Sequence, residues 1–241
     1  MSSVVLVHGS WHDGELWSPV IDSLADLGYT AYGPTIAGHG KGAVKDVNHA
    51  DCVQSIVDYI VDNDLRDFSL VAHSFGGTVI CKVAEAVPDR INRLVFHSAF
   101  VLEDGNALFD EVPQFYRESF EQIAAASSDN TIMLPFELWQ SAFINDANDE
   151  LASSTYEMLS SEPFQPFLDK LDLKKFYGLT IPSSYINCRD DIALPAGEWA
   201  WCPRFPNRLK NCRLLEMPGS HEVMLTNPQA LAETIVEACA V

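Results

Sequence analysis

Ser74 is the residue whose surroundings mark it for chemistry. It lies in Phe68-Ser69-Leu70-Val71-Ala72-His73-Ser74-Phe75-Gly76-Gly77, an apolar strand pattern that passes at once into a helical one. A serine on so tight a turn sits in strained backbone and lifts its hydroxyl above the sheet edge. Small residues two positions to either side, here Ala72 and Gly76, keep that turn free of clashes. An alkyl hydroxyl is scarcely ionised at neutral pH, so it needs a base within reach. Of seven histidines, His8, His12, His39, His49, His73 and His97 lie ahead of the serine, beside it or on the next strand. His221 alone stands late, in the turn Met217-Pro218-Gly219-Ser220-His221. A carboxylate would hold the imidazole in one tautomer and stabilise its protonated form. Two adjacent candidates, Asp190 and Asp191, follow a strand. The chemistry that such a trio supports is attack on a carbonyl carbon. The developing oxyanion would be met by the N–H of Phe75, at the start of a helix, and that of Ser10, in the loop His8-Gly9-Ser10-Trp11.

Elements able to position these groups are legible along the chain. Continuous apolar runs predict strands at 4–7, 29–32, 68–72, 93–97, 183–188 and 212–217. Helical spacing fits residues 16–27, 49–61, 76–86 and 228–240, with Gly28 as a stop and Pro228 at a helix start. Strands alternating with helices imply a mostly parallel, doubly wound sheet. The rhythm breaks in residues 104–180, where helical patches carry Phe109, Phe115, Tyr116, Phe120, Phe136, Trp139, Phe143, Phe164 and Phe167 with no clear strand among them. This segment is expected to form a helical cap inserted into a core made of residues 1–103 and 181–241, with some of its aromatics lining an apolar pocket over Ser74.

The chain has 241 residues, 15 Lys plus Arg against 34 Asp plus Glu, and a net charge of -19. Such a surface repels phosphate backbones and anionic headgroups, so neither nucleic acid nor membrane is expected as a partner. The start, MSSVVLVHGS, reads as a strand rather than a secretion signal, and a cytoplasmic location is the default. Six cysteines without CxxC spacing are expected to be reduced and buried, although a Cys202–Cys212 bridge is conceivable. His8 and His12 have the i, i+4 spacing of a metal pair. They fall in a predicted loop without a late Glu or His partner, so no metal is expected.

The motifs resemble a known group, the small cofactor-free α/β-hydrolases that include plant salicylate-binding methylesterases, plant hydroxynitrile lyases and bacterial pyrethroid-hydrolase-like esterases. The likeness rests on Val5-Leu6-Val7-His8-Gly9-Ser10-Trp11-His12 with Trp17, on Ala72-His73-Ser74-Phe75-Gly76-Gly77, on Asp191-Ile192-Ala193-Leu194-Pro195, and on Gly219-Ser220-His221 with Asn227-Pro228. It implies the α/β-hydrolase fold with a six-stranded sheet, no cofactor, and Ser74, His221 and Asp191 as the triad, since the group's aspartate commonly stands four residues before a proline. It maps the oxyanion donors onto the N–H groups of Ser10 and Phe75. The lyases' active-site threonine and lysine correspond here to Gly9 and Glu222, which argues against cyanohydrin cleavage. The expected activity is hydrolysis of a small, largely apolar ester or lactone, with a homodimer left open. The alternatives are C–C bond cleavage, cyclisation or cofactor-free oxygenation on the same scaffold, or a ligand receptor with vestigial hydrolysis.

Overall fold

The computed structural model describes residues 2–240; residues 1 and 241, which the expected core bounds include, lie outside them. Strands β1 (Ser3–Val7), β2 (Thr30–Tyr32), β3 (Phe68–Ser74) and β4 (Ile91–Ala99) are followed by a two-strand ribbon, β5 (Thr131–Ile132) and β6 (Glu162–Pro163). Then come β7 (Ser183–Cys188) and β8 (Arg213–Met217). Six of these strands form one sheet in the order β2-β1-β3-β4-β7-β8, and every pairing within it is parallel. Helices α1 (Ser18–Asp26), α2 (His49–Asp62) and α3 (Gly76–Ala86) connect the first strands, and Pro228–Cys239 closes the chain.

Burial on both faces explains the continuous apolar runs. Alternate residues of each strand feed opposite layers: Val4, Leu6, Val71, Val95 and Ile186 pack with α1 and the closing helix, whereas Val5, Val7, Leu70, Ala72 and Phe96 pack with α2 and α3. The second layer continues without a break into the aromatics of the inserted segment, including Phe120, Trp139, Phe143 and Phe167. Helix ends follow local chemistry. Asn48 and Asp51 cap α2 reciprocally, each side chain accepting the other's backbone N–H. Asn227 accepts from the N–H of Ala230 ahead of the closing helix.

Two expectations need correction. The helix expected from residue 16 is a 3₁₀ turn, Gly14–Trp17, that leads into α1 at Ser18-Pro19, where the proline suits a helix start. The inserted segment, expected to lack strands, holds the β5–β6 ribbon beside α4 (Gln114–Ala126) and a helix at Asp149–Tyr156. Two-residue strands fall below the length at which alternation can be read from sequence.

Candidate active site

All seven residues of β3 are buried, and the strand ends in a backbone that only a constrained turn would hold: Ser74 has φ +51°. A non-glycine residue at positive φ costs about 1–3 kcal/mol, and the neighbours leave no alternative. Phe75 is already helical, with φ -51°, and the β3–β4 register shifts between His73 and Ser74. A side chain at Gly76 would put its Cβ 2.6 Å from the carbonyl oxygen of His8, and one at Gly77 would lie 2.3 Å from that of Phe100. Both contacts are with backbone, which cannot step aside. Gly77→Ala is therefore expected to destabilise the fold by about 1–3 kcal/mol, read as a fall in thermal midpoint of several degrees; an unchanged midpoint would show that α3 sits less tightly on the sheet.

His221 follows β8 and is buried, 1% exposed. Its Nδ1–H donates to Asp191 Oδ2 at 2.7 Å, which leaves Nε2 as the free nitrogen. Burial alone would lower its pKa, but the adjacent Asp191 carboxylate outweighs burial and the pKa lies above the ordinary value. Burial pushes the Asp191 carboxyl the other way, upward, and is overcome by His221, by the nearby Ser98 hydroxyl and by the N–H of Ala193, which donates to Asp191 Oδ1 at 3.0 Å; the result is a pKa below the ordinary one. Asp190 does something different. Its Oδ2 accepts from the N–H of Gly219 at 2.9 Å and its own N–H donates to the Gly219 carbonyl at 3.2 Å, so it ties the turn that carries the histidine. The structure thus brings Asp191, not Asp190, to the imidazole.

Ser74 and His221 line one cavity together with Ser10, Trp11, Tyr116, Phe143 and Trp201, among others. The side-chain hydrogen bond that His221 makes among the described residues is to Asp191, not to Ser74. Among the described residues, the N–H groups of Ser10 and Phe75 donate to no protein acceptor. None of the residues lining the cavity is Lys, Arg, Asp or Glu, and the Tyr116 hydroxyl is committed to the carbonyl of Ala193 at 2.8 Å. Trp201 stacks on the imidazole of His221, with ring centroids 5.1 Å apart and an 18° interplanar angle. It sits on the loop between β7 and β8, which the sequence offered no period by which to read.

The loop after β1 is fixed by a residue that sequence reasoning missed. Glu162, on β6 and fully buried, accepts from the N–H of Trp11 at 2.9 Å and faces His39 Nε2 at the same distance. Trp11 itself has φ +64°, so this bond holds the loop in a bent form that brings Ser10 to the cavity. No motif announces Glu162; only its burial against a histidine 123 residues earlier reveals it. Glu162→Gln keeps one acceptor but removes the charge. It is expected to cost about 1–3 kcal/mol of stability and to raise KM or lower kcat by loosening the loop; equal stability and kinetics would show the loop to be self-supporting.

The remaining histidines separate by role. His8 is structural: Nδ1–H donates to the Gly9 carbonyl at 2.8 Å, and Nε2 accepts from the N–H of Ile36 at 3.0 Å. It does not join His12. The expectation that no late Glu or His stands near His12 is overturned, because its Nε2 lies 3.1 Å from Glu222 Oε2 with both side chains buried, although no hydrogen bond joins the two atoms. The sequence hides this contact because 210 residues separate the two, and only the folded sheet edge unites them. All six cysteines are free, Cys202 and Cys212 included; Cys52, Cys81 and Cys188 are buried as expected, whereas Cys202, Cys212 and Cys239 are only partly so.

Residues 4–234 match the Alpha/beta hydrolase family, to which the chain belongs. It is 42% identical to an extracellular α/β-hydrolase from a Paenibacillus species and superposes on it with a TM-score of 0.96 over 99% of both chains. That protein is described as sharing structural and functional homology with tobacco salicylic acid binding protein 2. A carbendazim-hydrolysing esterase from Nocardioides sp. is 34% identical over 117 residues, so the match spans about half of each chain, 47% of this one and 48% of that one. A pyrethroid hydrolase from Sphingobium wenxiniae is 23% identical over 98% of this chain and 87% of its own. With esterase relatives along its whole length, the chain is an ester hydrolase of this family. Among the described residues no helix is long and apolar enough to cross a membrane.

Proposed function

We propose that the protein hydrolyses small, neutral, largely apolar carboxylic esters or lactones through Ser74, His221 and Asp191. The observation that carries this reading is the 2.7 Å bond between His221 and Asp191, with the opposite face of that pair open to a cavity that also holds Ser74. In the proposed mechanism, His221 Nε2 takes the proton of Ser74 as Oγ attacks the carbonyl. The N–H groups of Ser10 and Phe75 stabilise the oxyanion. His221 then protonates the leaving alcohol, and water, activated by the same imidazole, releases the acid from the acyl-enzyme. The absence of a charged lining side chain other than the imidazole favours neutral substrates over acids or amines. A Cβ at Gly9 would come within 2.8 Å of the Cβ of Ser74, so the position matching the lyases' threonine has no room for a side chain here. Residues 104–180 serve as the cap, supplying Leu108, Phe120, Phe143 and Phe167 to the apolar wall.

The direct test is labelling with an active-site organophosphonate, followed by peptide mapping. Stoichiometric modification of Ser74 is expected, with loss of turnover of p-nitrophenyl esters. Modification elsewhere, or none, would overturn the assignment. The pH dependence follows from the charge on the base. His221 acts only when neutral, and its pKa is raised. Activity should therefore fall as pH drops through a value above the ordinary histidine pKa of about 6.5. A kcat/KM profile with its acid limb at or below that value would contradict the role of Asp191.

A further inference from the structure

All seven histidines are at most 4% exposed, and four of them have evident partners: His8, His39, His49 and His221. His73 and His97 do not. No ring nitrogen of either makes a hydrogen bond of good geometry, although the backbone carbonyl of His221 lies beside the His73 ring, whose centroid is only 4.4 Å from that of His221. Beside it, Glu222 Oε2 is also buried and unpartnered. His12 Nε2 stands 3.1 Å from that oxygen but off the line of a hydrogen bond, so it too is left unsatisfied. A buried polar atom without a partner is costly, and three side chains sharing this condition at one spot call for an occupant.

We propose that a divalent transition-metal ion, zinc being the best match, binds between His73, Glu222 and His221 and inhibits the enzyme by occupying the base. One ligand atom from each of these residues lies within 4.8 Å of the others. A tetrahedral ion with bonds of about 2.1 Å spaces its ligands roughly 3.4 Å apart, so the three must draw in by little more than an ångström. His12 is within reach of Glu222 as a fourth ligand. Two or three imidazoles with one carboxylate suit zinc rather than calcium or magnesium, which prefer oxygen shells. The Nδ1 atom of His221 is engaged with Asp191, so the nitrogen offered to the metal is Nε2, the one that would accept the proton of Ser74. His12 also lines a surface depression with Asp13, Glu15, Glu157 and Lys41, where three carboxylates against one ammonium would draw cations.

Binding stands on this geometry alone; inhibition rests also on the reading of His221 as the base. The two are separated by calorimetric titration of the EDTA-treated full chain with zinc chloride, alongside p-nitrophenyl ester turnover. One zinc per chain is expected in the wild type and equally in Ser74→Ala. Affinity should fall at least tenfold in Glu222→Gln and in His12→Asn, each checked for native circular dichroism. Turnover by the wild type should be blocked by zinc and restored by EDTA, with Glu222→Gln resistant. No stoichiometric binding, the result if water alone fills the site, would overturn the proposal. So would unchanged affinity in both variants, the result if surface carboxylates hold the ion. Binding without inhibition would remove His221 from the ligand set. A protein with no esterase activity at all would count against the triad and leave the titration standing.

Discussion

Ser74→Ala is expected to lower kcat for p-nitrophenyl esters by roughly 10⁴-fold or more, with KM little changed. The size follows from what the hydroxyl supplies. Without Oγ no acyl-enzyme forms, and only the oxyanion donors and the cavity remain to assist direct attack by water. The loss should come without unfolding. Alanine inherits the same backbone strain at φ +51° that serine already tolerates. A thermal midpoint within a degree or two of the wild type, measured beside the kinetics, would make the comparison clean. A kcat reduced by less than tenfold would mean that another group opens the ester. The catalytic reading would then fail even though the fold stands.

Asp191→Asn and Asp190→Asn should differ by orders of magnitude despite being neighbours. The Asp191 carboxylate fixes the Nδ1–H tautomer of His221 and is the main cause that keeps the imidazole basic against its burial. An amide of the same shape can present its NH₂ to Nδ1, which reverses the tautomer and puts the proton on Nε2, where the base must be bare. A loss of about 10⁴-fold in kcat is expected, and the acid limb of the pH profile should move downward because the raising influence is gone. Asp190 accepts from Gly219 at the surface and touches the imidazole only through the turn it braces. Asp190→Asn should keep activity within about threefold, since a hydrogen bond from an exposed backbone N–H contributes about 1 kcal/mol or less. Equal losses in the two variants would mean that the loop rearranges and that the static geometry misassigns the acid.

The legibility of these parts tracks how local their causes are. The strand ending in Ser74 could be placed because burial on both faces forces an unbroken apolar run, and the turn after it demands small neighbours. The observed strand, Phe68–Ser74, runs two residues beyond the expected 68–72, to the serine itself. His221 could be found by elimination, as the one histidine late in the chain. The choice between Asp190 and Asp191 could not be made from charge or spacing to the strand; it came from likeness to relatives, and the structure separates the two by their bonds. Trp201 was invisible because its loop has no period. Glu162 was invisible because a single glutamate in a polar stretch, Ser160-Ser161-Glu162-Pro163, looks like any solvated carboxylate.

Sequence alone determined the elements whose identity rests on neighbours within a few residues: parallel strands from apolar runs, helix ends from caps and prolines, and the strained serine turn from its flanking small residues. Tertiary structure alone decided which distant groups share a dry space: Glu162 with Trp11, Glu222 with His12, Trp201 on His221. The reason is that backbone propensity and hydrophobic period act over one or two turns of chain. A buried polar contact, by contrast, is settled by the packing of a whole layer, where desolvation makes the right partner decisive and any other arrangement costly.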